Sequence, residues 1–279
     1  YWATGAGGAG PDYGYGIITD GLDNVYVTGR FGVTATFGSF TLTSAGGQHA
    51  FVAKVGPAIY VDDDYTLATP GWQVDHFDVV QDAIDASANG DTIIVYPGTY
   101  AENINFNGKA ILLTGSDPGN WDTVASIIID GGALGPVVTF NTGETSASVI
   151  KGLTIQNGSA TSGGGIYCNG SSPTIMGNIV RDNVASPGEG GGISCRNSSA
   201  TVFGNVVGGN QSAGNGGGVY CDNASPNIDS NIIFSNTTSS NGGGICGGSI
   251  SGAILNNIVS GNSANNDMGG IFCAGGTPT

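Results

Sequence analysis

The sequence predicts an all-β protein whose larger part is a right-handed parallel β-helix, with three strands in each coil of about 26 residues. Three observations support this fold. A Gly-Gly-Gly-Ile/Val motif recurs with its apolar residues 27, 26, 26 and 26 residues apart, each period contains three short apolar segments, and 52 of the 279 residues are glycine. Strands that recur at a constant interval pair with their copies one coil above and below, which builds a stacked apolar interior.

The repeat consists of columns of similar residues. The apolar residues of the motif are Ile166, Ile193, Val219, Ile245 and Ile271, and a second apolar column lies at Ile175, Val202, Ile228 and Ile254. Two asparagine columns follow, at Asn178, Asn205, Asn231 and Asn257 and at Asn183, Asn210, Asn236 and Asn262. Glycine and asparagine at fixed turn positions are typical of left-handed backbone, and stacked amides bond along a column. We therefore expect structural turns at these positions.

The segment before the repeats predicts a cap. Phe77, Val80 and Ile84 form one apolar face of a short helix over residues 77–88, and a β-branched strand between two turns follows within Gly90–Gly98. A helix followed by a strand indicates a capping element that leads into the first coil. We expect regular coils over residues 150–279.

Parts of this sequence resemble known protein families. Gly90–Tyr100, the Gly108-Lys109-Ala110-Ile111 segment and the glycine-triplet coils look like the pectate-lyase-like right-handed β-helix superfamily, over residues 59–279. The coils also resemble repeats of bacterial polymorphic surface proteins and autotransported adhesins. Residues 1–56, with Gly14-Tyr15-Gly16-Ile17, Asp23–Gly29 and Ala50–Val55, resemble one bacterial β-propeller repeat, which implies an antiparallel β blade at the N-terminus. One blade is too few to close a propeller, so it either packs as a cap or lacks its neighbouring blades.

The amino-acid composition limits the classes of molecule that this protein could bind. The net charge is −15 and only six residues are basic, so no patch is available to neutralise nucleic-acid phosphates. No run of about 18 apolar residues is present, so we expect no membrane-spanning helix. The resemblance to secreted repeats implies an extracellular or cell-surface location.

Four of the five cysteines occupy the same position of the repeat, which is predicted to face inward. Cys168, Cys195, Cys221 and Cys273 each lie two residues after the apolar residue of the motif, which predicts an interior column. Parallel side chains about 4.8 Å apart favour a stack of buried thiols over disulfides, with a metal ladder as the remote alternative. Cys246 follows Ile245 directly, so we expect it to point outward and to be reactive or bonded to another chain.

Two apolar stripes are predicted to face outward. One contains Tyr167, Ser194, Tyr220, Cys246 and Phe272, and the other contains Met176, Phe203, Asp229 and Leu255. On a surface so poor in charge, Tyr167, Tyr220, Phe272, Met176, Phe203 and Leu255 indicate a subunit interface, a covering segment of the same chain, or a glycan-stacking surface.

Catalytic residues are not evident. The resemblance implies lyases with a basic residue beside calcium-binding acids, or hydrolases with clustered aspartates. Between residues 157 and 279 the only basic residues are Arg181 and Arg196, and coil spacing places Arg196 beside Asp222, which predicts a surface ion pair. We predict no cofactor except calcium, for which the candidate ligands are Asp62, Asp63, Asp64, Asp20 and Asp23, with turn formation as the alternative.

These observations favour a non-enzymatic structural or surface protein outside the cell. The sequence ends partway through a coil without a capping segment, and an open coil exposes strand edges. Self-association of copies into a head-to-tail filament through open β-helix ends is therefore our first expectation. An adhesin or glycan-binding β-helix and a polysaccharide lyase or hydrolase are the alternatives.

Overall fold

The protein is described by a computed structural model, which covers residues 6–19, 25–37, 40–55 and 58–276. The chain divides into two compact units, Tyr1–Ala58 and Ile59–Thr279. Both units are built from β-strands, and helix contributes 5% of the structure. The all-β fold class predicted from the sequence is confirmed.

The first unit contains two antiparallel sheets of three strands each, one of β1, β4 and β5 and one of β2, β3 and β6. An antiparallel N-terminal segment is what the sequence predicted, while its resemblance to a propeller repeat stays a prediction. The strands are β1 (Ala6–Gly7), β2 (Tyr13–Thr19), β3 (Val25–Phe31), β4 (Thr34–Phe37), β5 (Phe40–Thr43) and β6 (His49–Val55).

The second unit is a parallel β-solenoid of about seven turns. Its regular coils pass through four parallel sheets, which we name I, II, III and IV in chain order. Sheet I contains β7 (Ile59–Val61), β8 (His76–Phe77), β9 (Thr92–Val95), β12 (Leu112–Gly115), β15 (Val149–Lys151), β19 (Thr174–Met176), β23 (Thr201–Phe203), β27 (Asn227–Asp229) and β31 (Ala253–Leu255). Sheet II contains β10 (Gly98–Ala101), β13 (Ile127–Asp130), β16 (Thr154–Gln156), β20 (Ile179–Arg181), β24 (Val206–Gly208), β28 (Ile232–Phe234) and β32 (Ile258–Ser260).

The other two sheets complete each coil. Sheet III contains β17 (Ser159–Ala160), β21 (Val184–Ala185), β25 (Gln211–Ser212), β29 (Thr237–Thr238) and β33 (Ser263–Ala264). Sheet IV contains β11 (Ile104–Asn105), β14 (Val138–Phe140), β18 (Ile166–Asn169), β22 (Ile193–Arg196), β26 (Val219–Asp222), β30 (Ile245–Ile250) and β34 (Ile271–Gly276). The strands of sheets I, II and IV are the three predicted for each coil. The two-residue strands of sheet III were not predicted, because so short a segment carries no apolar alternation. Stacking also begins well before residue 150, where we expected the first regular coil.

Rows of apolar side chains fill the interior. Ile166, Ile193, Val219 and Ile245 pair in register along sheet IV, and each is 0% exposed. Sheet I contributes the row Ile150, Ile175, Val202 and Ile228, and sheet II contributes Ile155, Val180, Val207 and Ile233. Complete burial of such a side chain contributes roughly 1.5–3 kcal/mol relative to the exposed state. The predicted stacking of like residues is therefore the main source of the core.

Two short helices flank the first coils. Helix α1 (Val80–Ala86) lies within the predicted range 77–88 and buries Val80, Ala83 and Ile84 against the start of the solenoid. The Glu102 carboxylate accepts the backbone N–H groups of Val80 and Gln81 at 2.8 Å each, which satisfies the free donors of the first turn. Helix α2 (Trp121–Ser126) was not predicted.

Buried asparagine amides connect successive coils. The Asn205 Oδ1 accepts hydrogen bonds from the backbone N (2.9 Å) and the Nδ2 (3.1 Å) of Asn178. The Asn205 Nδ2 donates to the carbonyl of Ile175 (2.9 Å) and to Oδ1 of Asn231 (3.0 Å). The second column, from Asn183 to Asn262, repeats this pattern. We call these two asparagine columns the ladder. The residue before each ladder asparagine has a left-handed backbone conformation, as at Gly204 with φ +64°.

The glycine triplets let neighbouring coils approach closely. A Cβ on Gly218 would lie 2.7 Å from the carbonyl oxygen of Gly244 and 2.9 Å from Nδ2 of Asn236. Both atoms belong to the next coil, so any side chain here would push the coils apart. This requirement, and not the need for positive φ alone, explains the three consecutive glycines.

We predict that Asn205→Ala destabilises the protein by about 2–4 kcal/mol, because it leaves several buried donors and acceptors without partners. The measurement is urea unfolding followed by circular dichroism. Asn169→Ala is the matched control, since Asn169 is exposed and its side chain makes no hydrogen bond to any residue that the structure describes. Equal stability of the two variants would contradict a structural role for the ladder.

We predict that Gly218→Ala lowers stability by about 1–3 kcal/mol through overpacking. Gly270 stands in the same column one coil beyond Gly244, and a Cβ there would meet no heavy atom within 4 Å. Gly270→Ala should therefore change stability by less than about 0.5 kcal/mol. Thermal melting of both variants checks the difference, and a Gly270→Ala loss as large as that of Gly218→Ala would refute the steric explanation.

Candidate functional site

The outward column of sheet IV holds the first predicted stripe. Tyr167, Ser194, Tyr220, Cys246 and Phe272 share one register position in successive coils. They do not form an exposed stripe, because Ser194 is 0%, Cys246 3% and Tyr220 8% exposed. Tyr167 and Phe272 are half-buried.

The glycine triplets cover this column. The first glycine of each triplet has positive φ and folds back over the strand that follows it. A Cβ on Gly216 would lie 2.8 Å from the Cβ of Tyr220, and one on Gly242 would lie 2.7 Å from the Cβ of Cys246. The expectation that Cys246 is an accessible, reactive thiol is therefore wrong, and burial raises the pKa of this thiol to about 12.

The inward cysteines occupy the predicted column. Cys168, Cys195 and Cys221 pair in register and are each 0% exposed, and Gly247 takes the same position in the next coil. Cys273 continues the column but is exposed. All five cysteines are free. Burial raises the pKa of Cys168, which also keeps its proton in a hydrogen bond with Cys195. This column is part of the core, since no route from solvent reaches three fully buried thiols.

A charged cluster surrounds Tyr220. Arg196 forms an ion pair with Glu189, and its guanidinium carbon lies 5.3 Å from the centre of the Tyr220 ring. Asp222 pairs with Arg196 in the strand register, but the salt bridge goes to Glu189, not to Asp222 as the coil spacing predicted. Burial, with Asp222 and Glu189 adding to it, raises the pKa of Tyr220 to about 12. The Tyr220 hydroxyl therefore stays protonated and neutral.

An open cleft of about 620 Å³ lies beside this cluster. Tyr167 and Arg196 line it together with the apolar Leu134 and Pro136. Hydroxyl-bearing residues line it at Ser159, Thr161, Ser162 and Ser186, together with Gly135 and Ala160. The cleft thus combines one aromatic ring and one planar cation with several hydroxyl groups, and it is more polar than the apolar pockets in which most small ligands bind.

Unequal loop lengths create the cleft. The loop between sheets III and IV covers residues 161–165 before β18, 186–192 before β22, 213–218 before β26 and 239–244 before β30. The shortest of these four loops is thus followed by the longest one. In the coil before, the segment 131–137 leads into β14 and exposes 85% of Leu134. The cleft therefore lies where the connections before sheet IV change in length from one coil to the next.

The second predicted stripe faces outward from sheet I. Met176, Phe203, Asp229 and Leu255 share one register position. Phe203 is 38% and Leu255 45% exposed, while Met176 is half-buried. Ile232 and Ile258, which are exposed on sheet II, extend this apolar surface beyond sheet I.

The predicted calcium ligands lie in a turn after β7. Asp62, Asp63 and Asp64 bring carboxylate oxygens within 4.8 Å of one another, a donor set that suits a hard cation. Asp62 Oδ1 already accepts the backbone N–H of Asp64 (3.1 Å), and Asp63 Oδ2 accepts that of Thr99 (3.2 Å). The same carboxylates therefore have a turn-forming role, and calcium stays a prediction. Asp20 and Asp23 lie outside the described residues.

Sequence reasoning missed several polar groups. Glu144 is 2% exposed and accepts hydrogen bonds from Gly108, Thr142 and Ser171. Although burial raises the pKa of its carboxyl group, these hydrogen bonds outweigh it and hold the pKa below its usual value. His76 binds Asp75 at 2.8 Å and lies between the rings of Tyr60 and Tyr65. No repeat spacing marks these residues, because each occurs once.

Comparison with known proteins adds no family: no protein-family model, no curated protein and no solved structure matches this chain. Neither helix within the described residues has the length and apolar character needed to cross a membrane. The candidate site therefore has to be interpreted from its own geometry.

We predict that in the folded, monomeric protein at low concentration Cys273 is alkylated much faster than Cys246. At pH 8 a thiol with a pKa of about 12 is almost entirely protonated, and Cys246 is also shielded, whereas Cys273 is exposed. Iodoacetamide labelling followed by peptide mass spectrometry measures both sites, and labelling after denaturation provides the control. Rapid modification of Cys246 in the folded state would show that the glycine cover is absent.

Proposed function

We propose that this chain is a non-enzymatic structural or surface protein outside the cell, and that copies associate head to tail through the last coil of the solenoid. The support comes from the last coil that the structure describes. Among the described residues, the strands β31, β32, β33 and β34 each form the edge of their sheet. Unpaired strand edges are templates for pairing with another chain.

The interior of this coil is also uncovered. Ile271 is 39% exposed, although Ile245, one coil earlier in the same row, is 0% exposed. Ile254 and Val259 are likewise only partly buried, in contrast to Ile228 and Ile233. Among the described residues, apolar groups that are inside elsewhere in the solenoid are therefore exposed here. Another β-structure, either a further coil of the same protein or a second copy, would cover them favourably.

The opposite end of the solenoid does not offer a matching open coil. Helix α1 packs there against β7, β8, β9 and β11. The first unit, by contrast, has exposed apolar side chains on strands β2 and β6, at Ile17 (74%), Ile18 (68%) and Val52 (73%). We therefore propose that the sheet of β2, β3 and β6 from a second copy covers the last described coil. This contact replaces the direct stacking of two open β-helix ends that the sequence led us to expect.

The basic residues of the coils support a non-enzymatic role. Arg181 donates to Gln156 at 3.0 Å, and Arg196 is paired with Glu189. Lys109 donates to the backbone carbonyls of Ile84, Asp85 and Ser87. Three of the four basic residues of the solenoid are thus engaged within the fold, and the fourth, Lys151, lies on β15. A lyase needs a basic residue that is free to remove a proton and stands beside acidic metal ligands. The proposed extracellular location rests on the resemblance of the coils to repeats of bacterial surface proteins.

We predict that the protein associates reversibly and that Ile271→Lys weakens this association at least tenfold, because a charge would enter the apolar contact. Light scattering during size-exclusion chromatography over a hundredfold range of concentration measures it, and negative-stain microscopy shows whether the assemblies are linear.

Ser260→Lys is the matched control. Ser260 is exposed in the same coil and on an outward position, so the substitution adds the same charge away from the uncovered interior. A protein that stays monomeric at every concentration would refute the proposal, and so would an Ile271→Lys variant that associates as strongly as the Ser260→Lys variant.

A further inference from the structure

Asparagine followed by glycine is a chemically reactive pair, and this chain contains six such pairs. Their asparagines are Asn89, Asn107, Asn157, Asn169, Asn215 and Asn241. The backbone nitrogen of the glycine can attack the side-chain carbonyl carbon of the asparagine, because glycine has no Cβ to obstruct a close approach. Two movements are required: the glycine N–H has to leave its hydrogen bond, and the asparagine side chain has to swing toward the main chain. How firmly each pair is held therefore decides where the reaction occurs.

The glycine N–H is hydrogen-bonded in all six pairs. Gly108 donates to the Glu144 carboxylate at 2.8 Å, and Gly158 donates to Oδ1 of Asn183 at 2.9 Å. The other four donate at 2.7–3.0 Å to backbone carbonyls that lie later in the chain, and they are Gly90, Gly170, Gly216 and Gly242. The glycine half of the pair therefore does not distinguish one site from another.

The asparagine half does distinguish them. In five pairs the side-chain amide is itself hydrogen-bonded, at 2.7–3.3 Å. The partners are Ala110 for Asn89, Asp85 for Asn107, Asp130 for Asn157, Asn241 for Asn215 and Asp267 for Asn241. The Asn169 side chain makes no hydrogen bond to any residue that the structure describes. Exposure is not the difference, because Asn89, Asn107 and Asn157 are exposed as well.

The turn at Asn169 also opens more easily than the core. Asn169 is the last residue of β18, and Gly170 follows it with a left-handed φ of +64°. Both residues are exposed, and a Cβ on Gly170 would meet no heavy atom within 4 Å. The single hydrogen bond from the Gly170 N–H to the carbonyl of Arg196 thus lies at the surface end of a strand, where local opening costs little free energy.

We propose that Asn169 is a site of spontaneous deamidation in the folded protein. The Gly170 nitrogen forms a bond to Cγ of Asn169 and loses its proton, the bond between Cγ and Nδ2 breaks, and the side-chain nitrogen leaves as ammonia. One water molecule then opens the resulting succinimide ring. Opening at the side-chain carbonyl gives aspartate, and opening at the backbone carbonyl gives isoaspartate. Water is the only co-reactant.

The aspartate product places a new carboxylate beside a basic residue. Arg196 pairs in register with Asn169 on one side and with Asp222 on the other. Opposite charges on neighbouring strands stabilise a sheet by roughly 0.2–1 kcal/mol. We therefore expect the aspartate form to keep the fold, whereas isoaspartate lengthens the main chain by one carbon atom at the end of β18. The reaction does not depend on head-to-tail association, because β18 lies in the interior of sheet IV.

Peptide mapping of the folded protein after incubation in mildly alkaline buffer tests the proposal. Tandem mass spectrometry follows all six pairs in one sample, so the five tethered pairs are internal controls. We expect Asn169 to deamidate about tenfold faster than any of them, or more. In guanidinium chloride the six rates should become similar, because the hydrogen bonds are then lost. A rate at Asn169 no higher than at the tethered pairs of the folded protein would overturn the proposal, as would its survival in the folded protein under conditions in which the unfolded chain reacts.

Gly170→Asn tests the chemistry while it preserves the turn. Asn197 and Asn223 follow the corresponding strands of the next two coils with φ +48° and +47°, so asparagine fits this left-handed position. The added side chain obstructs the backbone nitrogen and should slow deamidation at Asn169 by about tenfold or more. Thermal melting confirms that the variant is folded. A folded Gly170→Asn variant that deamidates at Asn169 as fast as the parent would refute the assigned attack.

Asn169→Asp supplies the aspartate product directly. It should melt no lower than the parent, because the new carboxylate lies beside Arg196 in the register. A lower melting temperature would contradict this placement of the charge. Ile271→Lys, which should weaken self-association, should leave the rate at Asn169 unchanged, so the two proposals fail independently.

Discussion

Vertical register between coils is the constraint on which this structure depends, and buried asparagine amides maintain it. A coil of about 26 residues has few contacts of its own and is stable only against its neighbours. Asn178, Asn205 and Asn231 join three successive coils through side-chain bonds to both amide and backbone groups. A shift of one residue would leave these buried groups unpaired, and their desolvation cost makes such a shift unfavourable.

The period explains why so much of the fold could be predicted. Once residues one repeat apart are assumed to stack, counting alone places Ile166 above Ile193 and Cys168 above Cys195, and the strand register shows both pairs. Counting also assigns the side of the sheet to which a residue points. It does not reveal what covers that side, because cover depends on the path of the turns. Cys246 occupies its predicted register position, but the backbone at Gly242 passes over it.

Residues and loops that occur only once could not be predicted from the repeat. Glu189 precedes a glycine triplet at the position that Asn215, Asn241 and Asp267 occupy in later coils, so nothing in the pattern marks it as the partner of Arg196. The cleft likewise arises from two loops that depart from the usual length in opposite directions. Periodicity predicts the regular scaffold, whereas the candidate site lies where the regularity is interrupted.

The asparagine ladder has an evolutionary consequence. Because every regular coil presents the same amide donors and acceptors on its upper and lower sides, any such coil is compatible with any other as a neighbour. Duplication or loss of one whole repeat in the gene would lengthen or shorten the rod by about 4.8 Å and leave all remaining contacts intact. Rod length can therefore change in single genetic events, independently of the irregular coils that form the cleft.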